Sequence, residues 1–159
     1  MDGDDELLGR QVLRLFNAIF QEKKVWFMYT NYLPKDAYVG YSQEIPEDVI
    51  KGNNYRDYKY STSHLRAYYT QLFRNIKDSD LQDDKGNFLR AANDVATIFP
   101  IMEQAQDRVI YVPEYTYYYN DNTGINNRLI RKQEQLGNEK MLRKRKRYKR
   151  LDNLMSPVE

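Results

Sequence analysis

The sequence has no cysteine, little glycine and a single histidine, and each shortage excludes a class of chemistry. Without cysteine there is no disulfide framework, no thiolate nucleophile and no cysteine-ligated zinc site. The 7 glycines form neither a Gly-x-Gly-x-x-Gly pattern nor a Walker-type phosphate loop. One imidazole, His64, is too few for a histidine-rich zinc site.

Long hydrophobic runs are also missing. No apolar stretch approaches the roughly 20 residues that a membrane helix needs, and the longest covers only residues 25–29. The opening Met1-Asp2-Gly3-Asp4-Asp5-Glu6 is acidic, whereas a secretion signal opens with basic residues. We therefore expect a soluble, cytoplasmic protein with no membrane span in this chain.

The remaining composition is that of one folded domain, with 159 residues, 41% of them hydrophobic and 30% charged. The 15 tyrosines suit ordinary sheet faces or the lining of a cleft, and the first reading is favoured. The net charge of +2 is unevenly distributed, because acids concentrate at residues 2–6 and bases at residues 140–150.

Hydrophobic periodicity predicts an α/β fold in which helices alternate with short strands. A helix is predicted over residues 6–21, capped by Asp4 or Asp5, followed by a buried strand over 25–29. Pro100 is expected to kink or restart the helix in which it falls. The other predicted elements are a long loop at 34–54, a strand at 58–61, a helix at 63–75 capped by Ser63, a helix at 88–106, extended segments at 109–112 and 114–119 joined at Pro113, a turn at 120–127, and a basic helix from 125 onward.

The first candidate site is Asp2-Gly3-Asp4-Asp5. Two carboxylates separated by one glycine can present oxygens to one Mn²⁺ or Mg²⁺, which keeps positions open for phosphate oxygens. The pattern is weak by itself, since Asp78-Ser79-Asp80 repeats it. The alternative interpretation of residues 2–5 is a solvated, capped helix start.

Several further motifs follow in a fixed order. After the acidic start and its helix come Ser63-His64-Leu65-Arg66, Asp84-Lys85-Gly86-Asn87-Phe88, Ala92-Asn93-Asp94, Pro100-Ile101-Met102-Glu103, Val109-Ile110-Tyr111-Val112-Pro113-Glu114 and Tyr117-Tyr118-Tyr119-Asn120. In this order the chain resembles family 2 glycosyltransferases from their Asp-x-Asp motif onward. The resemblance covers residues 2–127.

The resemblance implies a partial GT-A fold, a short mixed sheet flanked by helices, with residues 1–127 forming the acceptor-side part of a catalytic domain. Residues 128–159 would be a basic helical C-terminal extension. The implied reaction is an inverting, metal-dependent transfer of a sugar from a nucleotide-diphosphate donor to an unknown acceptor, a glycan, lipid or protein. Since the family's nucleotide-binding half would precede Met1, we expect this chain alone to bind nucleotide sugar weakly and to turn over little.

The resemblance also implies roles for particular residues. Asp2 and Asp4 correspond to the metal ligands, and Asp94 to the general base that takes the acceptor proton. His64 could approach the metal or the donor diphosphate, with Arg66 as a phosphate partner. The alternatives are that Asp94 is an ordinary first-turn helix carboxylate, and that His64 is a helix cap or a partly exposed polar residue. The sequence departs from the family in two respects: Asn93 stands where the family often has Glu, and the Gln-x-x-Arg-Trp motif of processive synthases is absent, which favours a single transfer.

The basic run at residues 143–150 supports a rival interpretation, a non-enzymatic module that binds nucleic acid or an anionic surface. Tyr148 lies within this run and could stack on a base. A solvated C-terminal helix or tail explains the run more simply, so nucleic acid is not the favoured partner.

Overall fold

The structure, a computed structural model, describes residues 5–22, 24–34, 42–120 and 131–154. The chain divides into two compact units. The sheet unit comprises Met1–Pro46, Ser61–Tyr68 and Arg108–Gly124, and the helical unit comprises Glu47–Tyr60, Tyr69–Asp107 and Ile125–Glu159. Within the described ranges the fold is mixed α/β, with four strands and five α-helices.

The sheet unit contains one mixed sheet. Its strands are β1 (Glu6–Leu7), β2 (Phe27–Pro34), β3 (Arg66–Tyr68) and β4 (Val109–Tyr119), arranged in the order β1-β4-β2-β3. β2 and β4 are parallel, while β1 and β3 pair antiparallel to β4 and β2. The apolar run at residues 25–29 thus leads into the central strand β2, as its composition predicts.

β4 is one strand, so the predicted division at Pro113 is wrong. Tyr29 of β2 pairs with Tyr111, but the next pair along the ladder joins Asn31 to Tyr115, which leaves extra residues on β4 around Pro113. Such a bulge is where a strand tolerates proline, because a residue there does not need to donate to the ladder.

Helix α1 (Val12–Glu22) covers one face of the sheet. Val12 and Phe16 pack with Val25, Met28 and Val112 in a shared apolar cluster. The helix starts later than the predicted residue 6. Glu6 and Leu7 pair with β4, and a turn follows with Gly9 at φ 96, a conformation that glycine adopts without a Cβ penalty.

Tyrosines fill the other side of the β2 backbone. Tyr29 is 1% exposed, and its ring stacks on that of Tyr111 with centroids 5.1 Å apart. The Tyr29 hydroxyl donates to the carbonyl of Gln43, and the Tyr111 hydroxyl to the carbonyl of Ser42. Burial is the largest cause of the raised pKa of Tyr111. These tyrosines support the sheet-face interpretation of the composition.

The helical unit is built around one central helix. Its helices are α2 (Glu47–Lys51), α3 (Thr70–Arg74), α4 (Asn93–Ala105) and α5 (Lys132–Arg143). α4 packs against α3 and α5 and is buried along most of its length. It continues across Pro100, so a restart there is wrong. The residues that follow α5 run on without regular structure to residue 154.

Two predicted elements in this part of the sequence are wrong. Residues 58–61 do not form a strand. Residues 63–75 do not form one helix, because Arg66–Tyr68 is β3 and pairs with β2, and only Thr70–Arg74 is helical. Leu65 packs in the α1 cluster, whereas Leu72 is buried in α3. The helical spacing of the apolar residues therefore arose by coincidence from two separate elements, a strand and a short helix. The 34–54 loop also contains α2, and its residues 35–41 lie outside the described ranges.

Candidate functional site

The sequence's single histidine, His64, packs against the end of β4 in the sheet unit. The ring of His64 stacks on the ring of Tyr117, with centroids 5.1 Å apart and planes 20° from parallel. It stacks equally on Tyr119, at 5.2 Å and 15°. Tyr32 approaches both His64 and Tyr119 edge-on, at 6.1 and 5.6 Å. Tyr117 and Tyr119 share one face of β4 because strand side chains alternate, and the two rings orient the imidazole.

Asp5 is attached to the same strand end. Its Oδ2 accepts a hydrogen bond of 2.6 Å from the Tyr117 hydroxyl, and its Oδ1 accepts one of 2.8 Å from the backbone N–H of Asn120. The residue is only 7% exposed. The predicted cap at the start of a helix is therefore wrong for Asp5. Its carboxylate instead connects the acidic start of the chain to the aromatic stack around His64.

Arg66 lies in β3, two residues after His64. Its Nε and Nη2 donate to the carbonyls of Ser63 and Thr62, at 3.2 and 2.9 Å. These bonds tie the guanidinium to the turn that carries His64, and the turn is tied to β2 where the N–H of Leu65 donates to the hydroxyl of Thr30. The diphosphate contacts that the resemblance implies for His64 and Arg66 stay predictions.

Asp94 belongs to the helical unit, in the first turn of α4. The hydroxyl of Tyr60 donates to its Oδ2 at 3.3 Å, and its own N–H donates to the side-chain oxygen of Asn93. Ala92 precedes this turn in the left-handed region, at φ 60, which costs an L-residue about 1–2 kcal/mol. The helix N-terminus suits an anionic side chain. Asp94 is thus half-buried in a constrained turn, and its role as base stays a prediction.

Asp2 and Asp4, the predicted metal ligands, lie outside the described residues. Within the described ranges no group of three or more His, Asp or Glu side chains converges as a metal site would require. The repeat of the motif at Asp78 and Asp80 has a structural explanation, because Asp80 accepts a 2.6 Å hydrogen bond from the hydroxyl of Tyr148.

The arginines of the basic run are built into the helical unit. Arg143 donates to the carbonyls of Arg56 and Tyr58, both at 2.7 Å, and Arg145 donates to those of Ser79 and Gln82. Similarly, Arg147 contacts Asn54 and Asp57, and Arg150 contacts Asp107. Arg143 and Arg145 therefore do not belong to a solvated tail, whereas Arg150 is exposed at the surface.

The lysines between those arginines face solvent. Lys144, Lys146 and Lys149 are exposed. Tyr148, the aromatic residue of the run, is half-buried: its hydroxyl donates to Asp80 and accepts from the N–H of Lys77. Burial, with the Asp80 hydrogen bond, raises the pKa of Tyr148 to about 12. The run therefore serves first as a structural segment of this unit.

A buried ion pair lies beneath that segment. The carboxylate of Glu103, 0% exposed, accepts from Arg56 Nε at 2.5 Å, from Arg56 Nη2 at 2.9 Å and from the N–H of Tyr148 at 2.9 Å. The remaining Arg56 nitrogen donates to the carbonyl of Leu142. The two opposite charges are paired, and both side chains also have hydrogen-bond partners in the backbone, which a buried ion pair requires. Glu103 falls in the Pro100-Ile101-Met102-Glu103 motif, and here its contacts are structural.

Comparisons with known proteins return no relative: no family model, no curated protein and no solved structure matches this chain. In the described part of the chain, no helix has the length and apolar content needed to cross a membrane.

Sequence reasoning missed the contacts of Asp5, Tyr117 and Tyr119 around His64. The alternation of Tyr117 and Tyr119 along an extended segment was the available signal, because residues two apart in a strand share a face. Nothing in the sequence indicates which side chain occupies that face, since His64 reaches it from a distant part of the chain.

Proposed function

We propose that this chain carries the acceptor-side part of a metal-dependent, inverting glycosyltransferase of the GT-A type, which uses a nucleotide-diphosphate sugar. The first support is the order of its motifs from the acidic start to Asn120. A second is the mixed sheet, in which parallel β2 and β4 are flanked by β1 and β3 and covered by α1.

One observation carries the proposal furthest. The resemblance assigns the acidic start to the cation and His64 to the diphosphate, although the two are far apart in sequence. In the sheet unit Asp5 bonds to the hydroxyl of Tyr117, and the ring of Tyr117 stacks on His64. A cation held by the acidic start would have to lie near the diphosphate contacts, because its role would be to neutralise charge on the same diphosphate. The Asp5–Tyr117–His64 connection supports the proposal, because it joins the described end of the acidic start to the histidine.

The residue chemistry fits the reaction. Carboxylates such as Asp2 and Asp4 are the ligands that Mn²⁺ or Mg²⁺ prefers, and such an ion would neutralise the charge that develops on the departing diphosphate. His64 and Arg66 would donate hydrogen bonds to the diphosphate oxygens. Asp94 would take the proton of the acceptor hydroxyl as its oxygen bonds to the sugar's anomeric carbon and the bond to the diphosphate breaks.

The single histidine provides a direct test. Its ring protons give one isolated set of NMR signals, which paramagnetic Mn²⁺ broadens only when it binds nearby. We expect broadening at low Mn²⁺ concentration, no broadening with Mg²⁺, and relief of the Mn²⁺ effect when excess Mg²⁺ competes. Asp2→Asn with Asp4→Asn should abolish it. The matched control is Asp78→Asn with Asp84→Asn, which removes two exposed acids elsewhere; equal loss in both pairs would contradict the proposed site.

The base is tested separately. Asp94→Asn keeps the side-chain size but removes the proton acceptor. In a longer chain that also contains a nucleotide-binding half, transfer from a panel of nucleotide sugars should therefore fall by about 10²–10⁴-fold with little loss of donor binding. The control is Asp84→Asn, a change in an exposed turn. Turnover that survives Asp94→Asn unchanged would remove Asp94 from this role.

A further inference from the structure

We propose that helix α5 docks the helical unit on a membrane surface that contains anionic lipids. The docking surface, the lysine face, consists of Lys132, Leu136 and Lys140 of α5 together with Lys144, which caps the end of that helix. All four residues belong to the helical unit. The inference goes beyond the proposed function, because it uses none of the residues assigned to the cation, the diphosphate or the base.

The residues of the lysine face share one side of a helix. They follow one another at intervals of four, and helical residues four apart lie next to each other on the surface. Lys144 continues the spacing, because as C-cap it keeps a helical backbone conformation. All four side chains are exposed, whereas Leu142 of the same helix is 1% exposed and marks its inward side. The lysine face is therefore accessible to a partner.

The acids of α5 are engaged in ion pairs. Glu134 pairs with Arg131 at 3.0 Å, and Glu139 pairs with Arg143 at 2.6 Å. These are the two acids in the sequence of α5. From residue 140 to residue 150 the sequence then holds eight bases and no acid. An exposed surface with this excess of positive charge attracts an anionic partner.

The basic residues divide into two kinds by their direction. Arg145 donates to the carbonyls of Ser79 and Gln82 and is thereby used within the protein, while Lys146 and Lys149 are exposed. Arginine makes bidentate contacts of fixed geometry, whereas lysine is a point charge on a flexible stem. Flexible point charges suit lipid headgroups, which present their negative charge in no fixed arrangement.

Leu136 favours a membrane over other anionic partners. Its side chain is 53% exposed and lies between Lys132 and Lys140, four residues from each. At a lipid surface the two ammonium groups can reach the headgroups while the apolar side chain between them enters the boundary of the acyl chains. The phosphates of a nucleic acid would meet the same lysines but provide no apolar region in which Leu136 could be buried.

The test is sedimentation of the whole chain with vesicles, either of phosphatidylcholine alone or of phosphatidylcholine and phosphatidylserine in equal amounts. We expect binding to the second kind at low salt and little to the first. Added salt should weaken binding, because ions screen exposed charges. Lys140→Gln with Lys144→Gln should raise the apparent Kd by about 25-fold, from about fivefold for each lysine at an anionic surface. Leu136→Gln should raise it by about fivefold.

Two controls match these changes. Lys51→Gln with Lys85→Gln removes the same amount of charge from exposed lysines of the helical unit outside α5. Leu13→Gln replaces a leucine of α1 that is 66% exposed. Both controls should bind the vesicles as the unaltered chain does. Circular dichroism spectra that match the unaltered chain show that each variant is folded.

Each other outcome overturns the inference. Failure of the unaltered chain to bind anionic vesicles at low salt would do so directly. Equal losses in the two lysine pairs would show that net charge governs binding and not the lysine face, and unchanged binding in Leu136→Gln would remove the apolar contact. Binding to polyuridylate that depends on Lys140 and Lys144, without binding to vesicles, would identify a nucleic-acid surface. None of these results would bear on the proposed function, which rests on other residues.

Discussion

Replacing Glu103 by glutamine tests the energetic centre of the helical unit. The change keeps the shape of the side chain but removes its charge, so the guanidinium of Arg56, with a side chain only 3% exposed, is left buried without its counter-ion. Removing one member of a buried pair costs about 3–5 kcal/mol. This is a large part of the 5–15 kcal/mol that typically separates folded from unfolded domains.

The expected signal follows from that energy. With a urea dependence of about 2 kcal/mol per molar, the loss lowers the unfolding midpoint by about 1.5–2.5 M. Far-UV circular dichroism follows the helices, while fluorescence of the single tryptophan, Trp26, separately follows the sheet unit. The dichroism midpoint should shift clearly, because four of the five described α-helices belong to the helical unit.

The control is Glu139→Gln, which breaks an ion pair with Arg143 whose side chains are 28% and 25% exposed. Such a half-buried pair at i,i+4 spacing is still partly screened by solvent and contributes about 1 kcal/mol or less. A double change, Arg56→Met with Glu103→Leu, should recover much of the loss, because apolar residues remove both buried charges together. If Glu103→Gln shifts the midpoint no more than Glu139→Gln, the reasoning about burial is refuted.

Three further predictions concern the same unit. Burial raises the pKa of Tyr148 to about 12, so the contribution of this hydroxyl to stability is complete below about pH 10 and is lost as pH rises to 12. Urea midpoints should therefore fall over this pH window, and less steeply in Tyr148→Phe. An equal slope in the two proteins would contradict the prediction. Hydrogen bonds from the backbone N–H groups of Asn87 and Lys85 lower the pKa of Asp83, so carboxyl NMR should show it titrating below the ordinary aspartate value of about 3.9. Its stabilising effect is lost only as pH falls through that lowered value, and a titration at or above the ordinary value would contradict the role of these bonds. Arg145→Ala should lower the free energy of unfolding by about 1–3 kcal/mol, because two backbone carbonyls lose their hydrogen-bond donor. Lys146→Ala, a change at an exposed side chain, should alter the urea midpoint little. Equal effects of the two changes would mean that the contacts of Arg145 do not contribute to stability.

The sequence predicts the α/β class, the central strand and the two main helices, because each of these carries its own periodicity. α1 and α4 both form where apolar residues recur at helical spacing, and β2 where they run together. Such patterns depend only on residues that are close in sequence, so they can be recognised without knowing which distant segments pack together.

The errors lie where pairing partners are distant. β1 and β3 are two and three residues long, too short for a pattern, and exist because β4 and β2 provide partners. Likewise Pro113 suggests a break only until its bulge opposite β2 is known.

The candidate site divides in the same way. His64, Arg66 and Asp94 could be named from motif order, and their assigned roles stay predictions. The stacking of His64 on Tyr117, and the attachment of Asp5 beneath it, depend on contacts between segments more than 50 residues apart, with Tyr117 and Asp5 separated by 112. No pattern among neighbouring residues predicts these contacts between distant segments.

The bond from the N–H of Tyr148 to Glu103 also constrains how the protein is made. During synthesis α4 emerges from the ribosome well before residue 148, so Glu103 then lacks one of its three hydrogen-bond donors and Arg56 lacks the carbonyl of Leu142. The helical unit therefore completes its interior only when this late segment arrives. A nascent chain stalled before that point would expose an unfinished core to proteases and chaperones.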